Sequence, residues 1–215
     1  MTNEFILRAP LSGVVYPLER VPDPVFAQKL TGDGLAIDPV DATLRAPCAG
    51  EVVHIHPASH ALTLRAGSVE VLMHIGIDTV ALKGAGFTPR VKAGDKVEAG
   101  APLIEFDIDK LATTAKSLLT VVIISNGDAA RIVQRASGKV KASDDILLGL
   151  SLVDGAAKSE MAREGAVVTS PAFLLPNKTG LHVRPAAVLA NVAKSFKSEV
   201  TVKKGDRSAN GVLLR

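Results

Sequence analysis

Residues 69–84 read VEVLMHIGIDTVALKG. Val69, Val71, Met73 and Ile75 alternate with Glu70, Leu72 and His74, a two-residue period that predicts a strand. His74 then lies on the face opposite Val71 and Met73. The strand stops at Gly76, and Asp78 follows in a turn. A histidine at the end of a strand, next to a glycine turn, is most simply a hydrogen-bonded strand residue.

Working outward, short apolar stretches recur between Gly, Pro and Asp punctuation. They are Leu11–Tyr16, Gly34–Ile37, Leu44–Ala46, Glu51–Ile55, Ala61–Leu64, Pro102–Phe106 and Leu118–Ile124. Ile146–Leu152 is another apolar run of strand or core type. Many short strands with turn signals between them make residues 1–152 mainly β, a compact sandwich or barrel. Two short helices interrupt the pattern, near Pro24–Leu30 and near Ile108–Lys116, where Ile108, Leu111, Ala112 and Ala115 recur at helical spacing.

Val153–Gly165, VDGAAKSEMAREG, is small and charged and reads as a linker over residues 153–165. A second module occupies residues 166–215. Val167–Leu175 is strand-like and Pro176–Gly180 a turn. Ala186, Leu189, Ala190, Ala193 and Phe196 form one face of an amphipathic helix that starts near Pro185. Glu199–Lys203 reads as the next strand and Gly205-Asp206 as a turn. So small a set of elements has too little core to stand alone, so the sequence is expected to stop within this second domain.

Composition narrows the function. The chain has 215 residues, 47% of them hydrophobic but only 3% aromatic, so small aliphatic side chains must fill the core. The net charge of +3 is spread along the chain with no basic tract, which argues against nucleic-acid binding. The single cysteine, Cys48, cannot form an internal disulfide and is expected to be buried and inert. No secretory leader and no run of about 18 apolar residues is seen, so a cytoplasmic protein is expected. TGDGLAI, with Gly32 and Gly34, lacks the Lys-Ser/Thr ending of a nucleotide loop. Asp78 and Asp107 fit ordinary turn chemistry.

The five histidines are His54, His56, His60, His74 and His182. Imidazole is nucleophilic near neutral pH, which suits reversible group transfer. His54 and His56 alternate along one strand face, without the Cys or carboxylates of a zinc site, and read as solvated strand residues. His60 precedes a strand, and strand pairing could bring it to His74. His182 precedes Val183, Arg184 and Pro185 at a helix start. A phosphate there would meet free backbone N–H groups, the helix dipole and the Arg184 guanidinium.

FAQKLTGDGLAIDP (26–39), APCAGEV (46–52), SHALTL (59–64), VLMHIGIDTVALKGAGF (71–87), VKAGD (91–95) and LTVVIISN (119–126) together resemble the glucose-class enzyme IIA domains of the bacterial phosphoenolpyruvate-dependent sugar phosphotransferase system. TGLHVRPAA (179–187) resembles the active-site signature of HPr. The resemblance implies a β-sandwich enzyme IIA domain over residues 1–152, followed by the amino-terminal part of an α/β HPr-like domain, an order similar to that of multiphosphoryl transfer proteins. It implies His74 as the phosphorylated residue, on Nε2, and His60 as its supporting partner. Phe26, Val71 and Leu72 would form an apolar docking rim, with Asp78 orienting the site. His182 would be phosphorylated on Nδ1 and supported by Arg184. The implied partners are HPr and enzyme I on the donor side and sugar permease IIB/IIC domains on the acceptor side. Membrane contact would come only through the permease, and no nucleic acid is involved. Phosphorylation-dependent binding of regulatory targets is the alternative role. The resemblance calls for no cofactor in the IIA domain. Zinc across His60 and His74 at a partner interface, and Mg²⁺ with an enzyme I domain, are the metal uses it leaves open.

The chain departs from this pattern at three positions. Ala58 stands where members carry a Thr two residues before the paired histidine, and His56 and Leu72 replace Phe positions around the site.

Overall fold

Among the described residues, Thr120–Ile124 is the most completely buried strand, with all five residues enclosed. Five apolar or β-branched residues in a row can satisfy a central strand, because both its faces need covering. In the computed structural model, which describes residues 4–153, 201–204 and 207–210, this strand pairs with neighbours on both sides.

The strands in chain order are β1 (Glu4–Arg8), β2 (Gly13–Pro17), β3 (Asp33–Pro39), β4 (Thr43–Arg45), β5 (Gly50–Ile55), β6 (Ala61–Ala66) and β7 (Val69–His74). They continue with β8 (Phe87–Pro89), β9 (Lys96–Val97), β10 (Pro102–Phe106), β11 (Thr120–Ile124), β12 (Ala130–Arg135), β13 (Gly138–Val140) and β14 (Ile146–Leu152). Helix α1 (Pro24–Ala27) is capped by Asp23, whose carboxylate accepts from the Val25 amide. Helix α2 (Ile108–Thr114) is capped in the same way by Asp107, which accepts from the Lys110 amide. Both helices match the expected positions. Asp107 therefore has the ordinary local role its sequence context suggests.

Eight strands form one antiparallel sheet in the order β13-β2-β3-β11-β7-β6-β5-β9. Two three-stranded sheets, β1-β14-β12 and β4-β10-β8, complete the unit. One face of the large sheet carries Leu35, Ile37, Leu62, Leu64, Val71, Met73, Val122 and Ile124, and these share a single core cluster with Leu7, Leu44, Ile104 and Leu148 of the smaller sheets. This is the mainly β sandwich expected from the sequence.

The registry fixes what lies on the other face. His74 stands opposite Val121 on β11 and Ala61 on β6, and Leu72 opposite Ile123 and Thr63. Directly opposed residues share a face. His74, Ala61, Val121, Leu72, Ile123 and Thr63 thus lie together, away from the main core. Close approach of the strands is needed here too. A Cβ at Gly34 would stand 2.0 Å from the Val122 carbonyl oxygen.

Residues Met1–Asp154 form one contact unit and Gly155–Arg215 another. In the second unit the described residues form a hairpin, β15 (Thr201–Lys204) paired with β16 (Arg207–Asn210). The expected strand at Val167–Leu175, the turn at Pro176–Gly180 and the helix over 186–196 lie outside the described residues.

Candidate functional site

His74 is the last residue of β7, and the chain turns immediately after it. Gly76 takes a left-handed φ of 64° and Asp78 another, also of 64°. This sharp exit returns the Gly76 carbonyl toward the ring it follows. Nδ1 of His74 lies 2.8 Å from that oxygen. A carbonyl can only accept, so the proton of this pair sits on Nδ1 and the lone pair of the neutral ring on Nε2. The backbone thereby selects which ring nitrogen keeps its lone pair. Thr79, fully buried, braces the same turn by donating from Oγ1 to the Ile75 carbonyl at 2.7 Å.

His60 is brought alongside by the β6–β7 pairing. Its carbonyl accepts from the Ile75 amide at 2.8 Å, and the two ring centroids are 4.8 Å apart, edge to face. His60 is 1% exposed and His74 7%, so His74 is the one nearer to solvent. Phe26 of α1 lies edge-on to His74 at 5.3 Å, and Phe87 lies 6.4 Å from His60. The pair therefore sits in an apolar surround that keeps bulk water from most of each ring.

Phe26, in ring contact with His74 but only 3% exposed, and part-exposed Leu72 on the same strand face flank the site, and Asp78 is exposed in the turn that follows. Val71 does not flank it. It is fully buried in the main core, because strand alternation points it away from His74. A docking rim cannot include it, and the same period that places His74 on the outer face excludes Val71.

From its alternation with His54, His56 reads as a solvated strand residue, whereas the resemblance sets it at a Phe position around the site. It lies just past the end of β5, and its ring sits 4.3 Å from that of His60. The sequence does carry a signal for this. His56-Pro57-Ala58-Ser59-His60 joins two apolar alternations through a Pro-containing turn, which brings its two ends together. His54, one turnless step earlier, is half-buried on β5. Cys48 is buried, and burial pushes its thiol up to about 11, so it stays protonated and unreactive. His182 and Arg184 lie outside the described residues. Among the described residues no group of three His, Cys, Asp or Glu side chains is placed to hold a metal ion, and no helix is long and apolar enough to cross a membrane.

Comparison with known proteins bears on this geometry. Residues 5–130 match the family described as phosphoenolpyruvate-dependent sugar phosphotransferase system, EIIA 1. Residues 170–213 match the PTS HPr component phosphorylation site. The chain is 42% identical over 152 residues to the PTS system glucose-specific EIIA component of Halalkalibacterium halodurans, covering 70% of this chain and 88% of that one. It is 46% identical over 138 residues to the N-acetylglucosamine-specific EIICBA component of Klebsiella pneumoniae, covering 63% of this chain and 21% of that one. Among solved structures, glucose permease IIA from Mycoplasma capricolum superposes with a TM-score of 0.66 at 33% identity, covering 68% of this chain and 96% of the other.

Proposed function

This chain belongs to the EIIA 1 family of the phosphoenolpyruvate-dependent sugar phosphotransferase system, and on that premise we propose that His74 carries the relayed phosphoryl group on Nε2. With EIIA and HPr regions in one chain, the protein is a phosphotransferase component that relays phosphoryl groups toward sugar uptake. HPr and a sugar permease are the partners on its two sides.

The observation that carries the assignment to His74 is the 2.8 Å contact between Nδ1 and the Gly76 carbonyl. It puts the ring's proton on Nδ1 and its lone pair on Nε2, the nitrogen that attacks phosphorus in line. As the Nε2–P bond forms, the donor's N–P bond breaks and its electron pair stays with the donor imidazole. The Nδ1 proton remains on His74, and the Gly76 carbonyl stabilises the positive charge that develops on the ring. Transfer onward reverses these steps toward the acceptor. Such chemistry asks the protein mainly for positioning and charge stabilisation. His60, at 4.8 Å ring to ring, is the neighbour able to meet the new phosphate oxygens. Phe26 and Leu72 supply the apolar rim on which partners dock, with Asp78 beside them.

Upstream, His182 accepts phosphate on Nδ1, supported by Arg184, from an enzyme I protein or domain, and passes it to His74. The reaction runs in the cytoplasm, where phosphoenolpyruvate is made, and reaches the membrane only through the permease. The IIA site calls for no cofactor. Two imidazoles alone are half a tetrahedral set, so zinc across His60 and His74 would draw its other ligands from a partner. Mg²⁺ belongs with enzyme I. Glucose and N-acetylglucosamine are the two sugars that the matched relatives' names support.

The test is peptide mass spectrometry after incubation with phosphoenolpyruvate, enzyme I and complete HPr. We expect an acid-labile phosphate on the peptide holding His74, absent in His74→Ala. His60→Ala should still charge but discharge poorly to a permease domain. A folded protein with no phosphate on His74 would sink the assignment.

A further inference from the structure

His56 is tied into the turn that presents His60 by three separate bonds. Its amide donates to the Ala61 carbonyl at 2.8 Å, and its carbonyl accepts from the Ser59 amide at 2.7 Å. Its Nδ1 accepts from the Ala58 amide at 3.1 Å. An amide can only donate, so Nδ1 holds the lone pair and the neutral ring carries its proton on Nε2. The ring therefore does the work of an Asx side chain, accepting from the amide two residues on. Ala58 has no hydroxyl with which to organise this loop from its own side chain. Ser59, between Ala58 and His60, takes a left-handed φ of 54°, a conformation the loop must hold against its own preference.

The same ring packs on the site. Its centroid is 4.3 Å from that of His60, which in turn is 4.8 Å from His74. His60 is 1% exposed, so its imidazole has little room except where these neighbours leave it. Three imidazoles thus stand in a row, and the outermost is fixed to the backbone by a bond that also selects its tautomer.

We propose that His56 is a positioning residue for the phosphoryl relay, setting the orientation of His60 through the turn it organises and through direct ring packing. It does not touch the phosphoryl group. Its Nδ1 acceptor holds residues 56–60 in register, and its ring limits the rotation of His60 so that the supporting imidazole meets phosphate on His74. A phenylalanine could supply the packing but not the acceptor. This inference rests on the reading that His74 takes the phosphoryl group.

Two substitutions in the full chain separate the two contributions. His56→Phe keeps a ring and removes the acceptor, while His56→Asn keeps an acceptor for the Ala58 amide and removes the ring. The first readout is the imidazole ¹⁵N and ¹H resonances of His60 in the unphosphorylated protein. The second is discharge of phospho-His74 to a sugar permease IIB domain, measured as a limiting rate and a half-saturating acceptor concentration. Loss of one hydrogen bond that orients a reacting neighbour should lower the limiting rate of His56→Phe about five- to ten-fold and leave half-saturation within about two-fold. The His60 resonances should move in both variants, and His56→Asn should discharge faster than His56→Phe. Unchanged His60 resonances in His56→Phe overturn the inference. So does a change confined to half-saturation, which would make His56 a docking residue. Absence of phosphate on His74 in the unsubstituted protein is a separate failure, that of the site assignment, and the His60 resonances still decide the position of His56.

Discussion

Gly76 carries two constraints at once. Its φ of 64° is open to glycine and costly to other residues, and its carbonyl is the group that fixes the His74 tautomer. A Cβ added there would stand 2.7 Å from Thr79 Cγ2 and 3.1 Å from the Ser117 carbonyl oxygen. Thr79 has no freedom to retreat, because it is fully buried and bonded to Ile75. Gly76→Ala should therefore cost about 1–2 kcal/mol in backbone strain alone, seen as a lowered Tm. It should also slow phosphorylation of His74 by more than the folded fraction explains, since the turn must shift the carbonyl away from Nδ1. Charging at the ordinary rate in a destabilised but folded Gly76→Ala protein would show that the carbonyl does not prepare the nucleophile. The role of His74 could be derived from sequence only as far as its strand face. The family motif supplied the chemistry, and the tautomer needed the turn geometry that no spacing reveals. His56 shows the reverse case: its alternation with His54 suggested an ordinary strand face, while the turn signal and the family pattern both pointed to the site.

At the scale of elements, the segments on either side of α1 are joined to β3 and β12 by one charged cluster. Lys29 Nζ lies 3.0 Å from Glu19 and 3.2 Å from Asp33, and Arg135 lies 2.6 Å from Asp33 while also donating to the Gly34 carbonyl at 2.7 Å. Burial pushes the Asp33 carboxyl up, but the bonds from Lys29, Arg135 and the Gly34 amide outweigh it and hold it below its usual range. A carboxyl depressed in the folded state adds stability above its unfolded value, about 3.9, and loses it as pH falls through the lower folded value. Asp33→Asn should thus lower Tm at pH 7 by an amount that shrinks steadily in acid. Because these side chains are part-exposed, the difference should stay at or below about 1 kcal/mol. A Tm gap that is constant with pH would mean the effect is packing rather than charge. The strands that the sequence revealed are those with a covered face. Every one of the nine apolar stretches read in residues 1–152 contains or overlaps a strand, β11 most plainly. The strands it concealed in that unit are β1, β8, β9, β12 and β13. β12, for instance, buries Ala130 alone at one end and shifts register between Ile132 and Gln134, so no alternation survives to be read.

For the molecule as a whole, the position of the core decides what can be separated. Among the described residues its cluster runs from Leu7 to Leu150, all within the unit Met1–Asp154. The last described tie before the division is the Val153 amide to the Ala129 carbonyl, at 3.0 Å, so a chain ending at Asp154 keeps it. Both histidines of the site, the Gly76 turn, Phe26 and the 56–60 loop also lie inside that boundary. A fragment of residues 1–154 should then fold by itself, since a unit of this size closes a single core without help. We expect it to unfold in one cooperative transition, with a Tm within a few degrees of the corresponding transition in the full chain. Given saturating complete HPr, enzyme I and phosphoenolpyruvate, it should charge His74 at the full-chain rate. What it should lose is supply from within the chain. Joining donor and acceptor gives an effective concentration on the order of millimolar, independent of dilution. If His182 charges and passes its phosphate on, enzyme I and phosphoenolpyruvate alone will phosphorylate His74 in the full chain, at a rate per molecule that dilution does not change. The fragment will stay uncharged until HPr is added. A fragment that folds but cannot be charged even by saturating HPr would show that residues 1–154 do not hold a complete acceptor, and the reading of a self-sufficient first unit would fall.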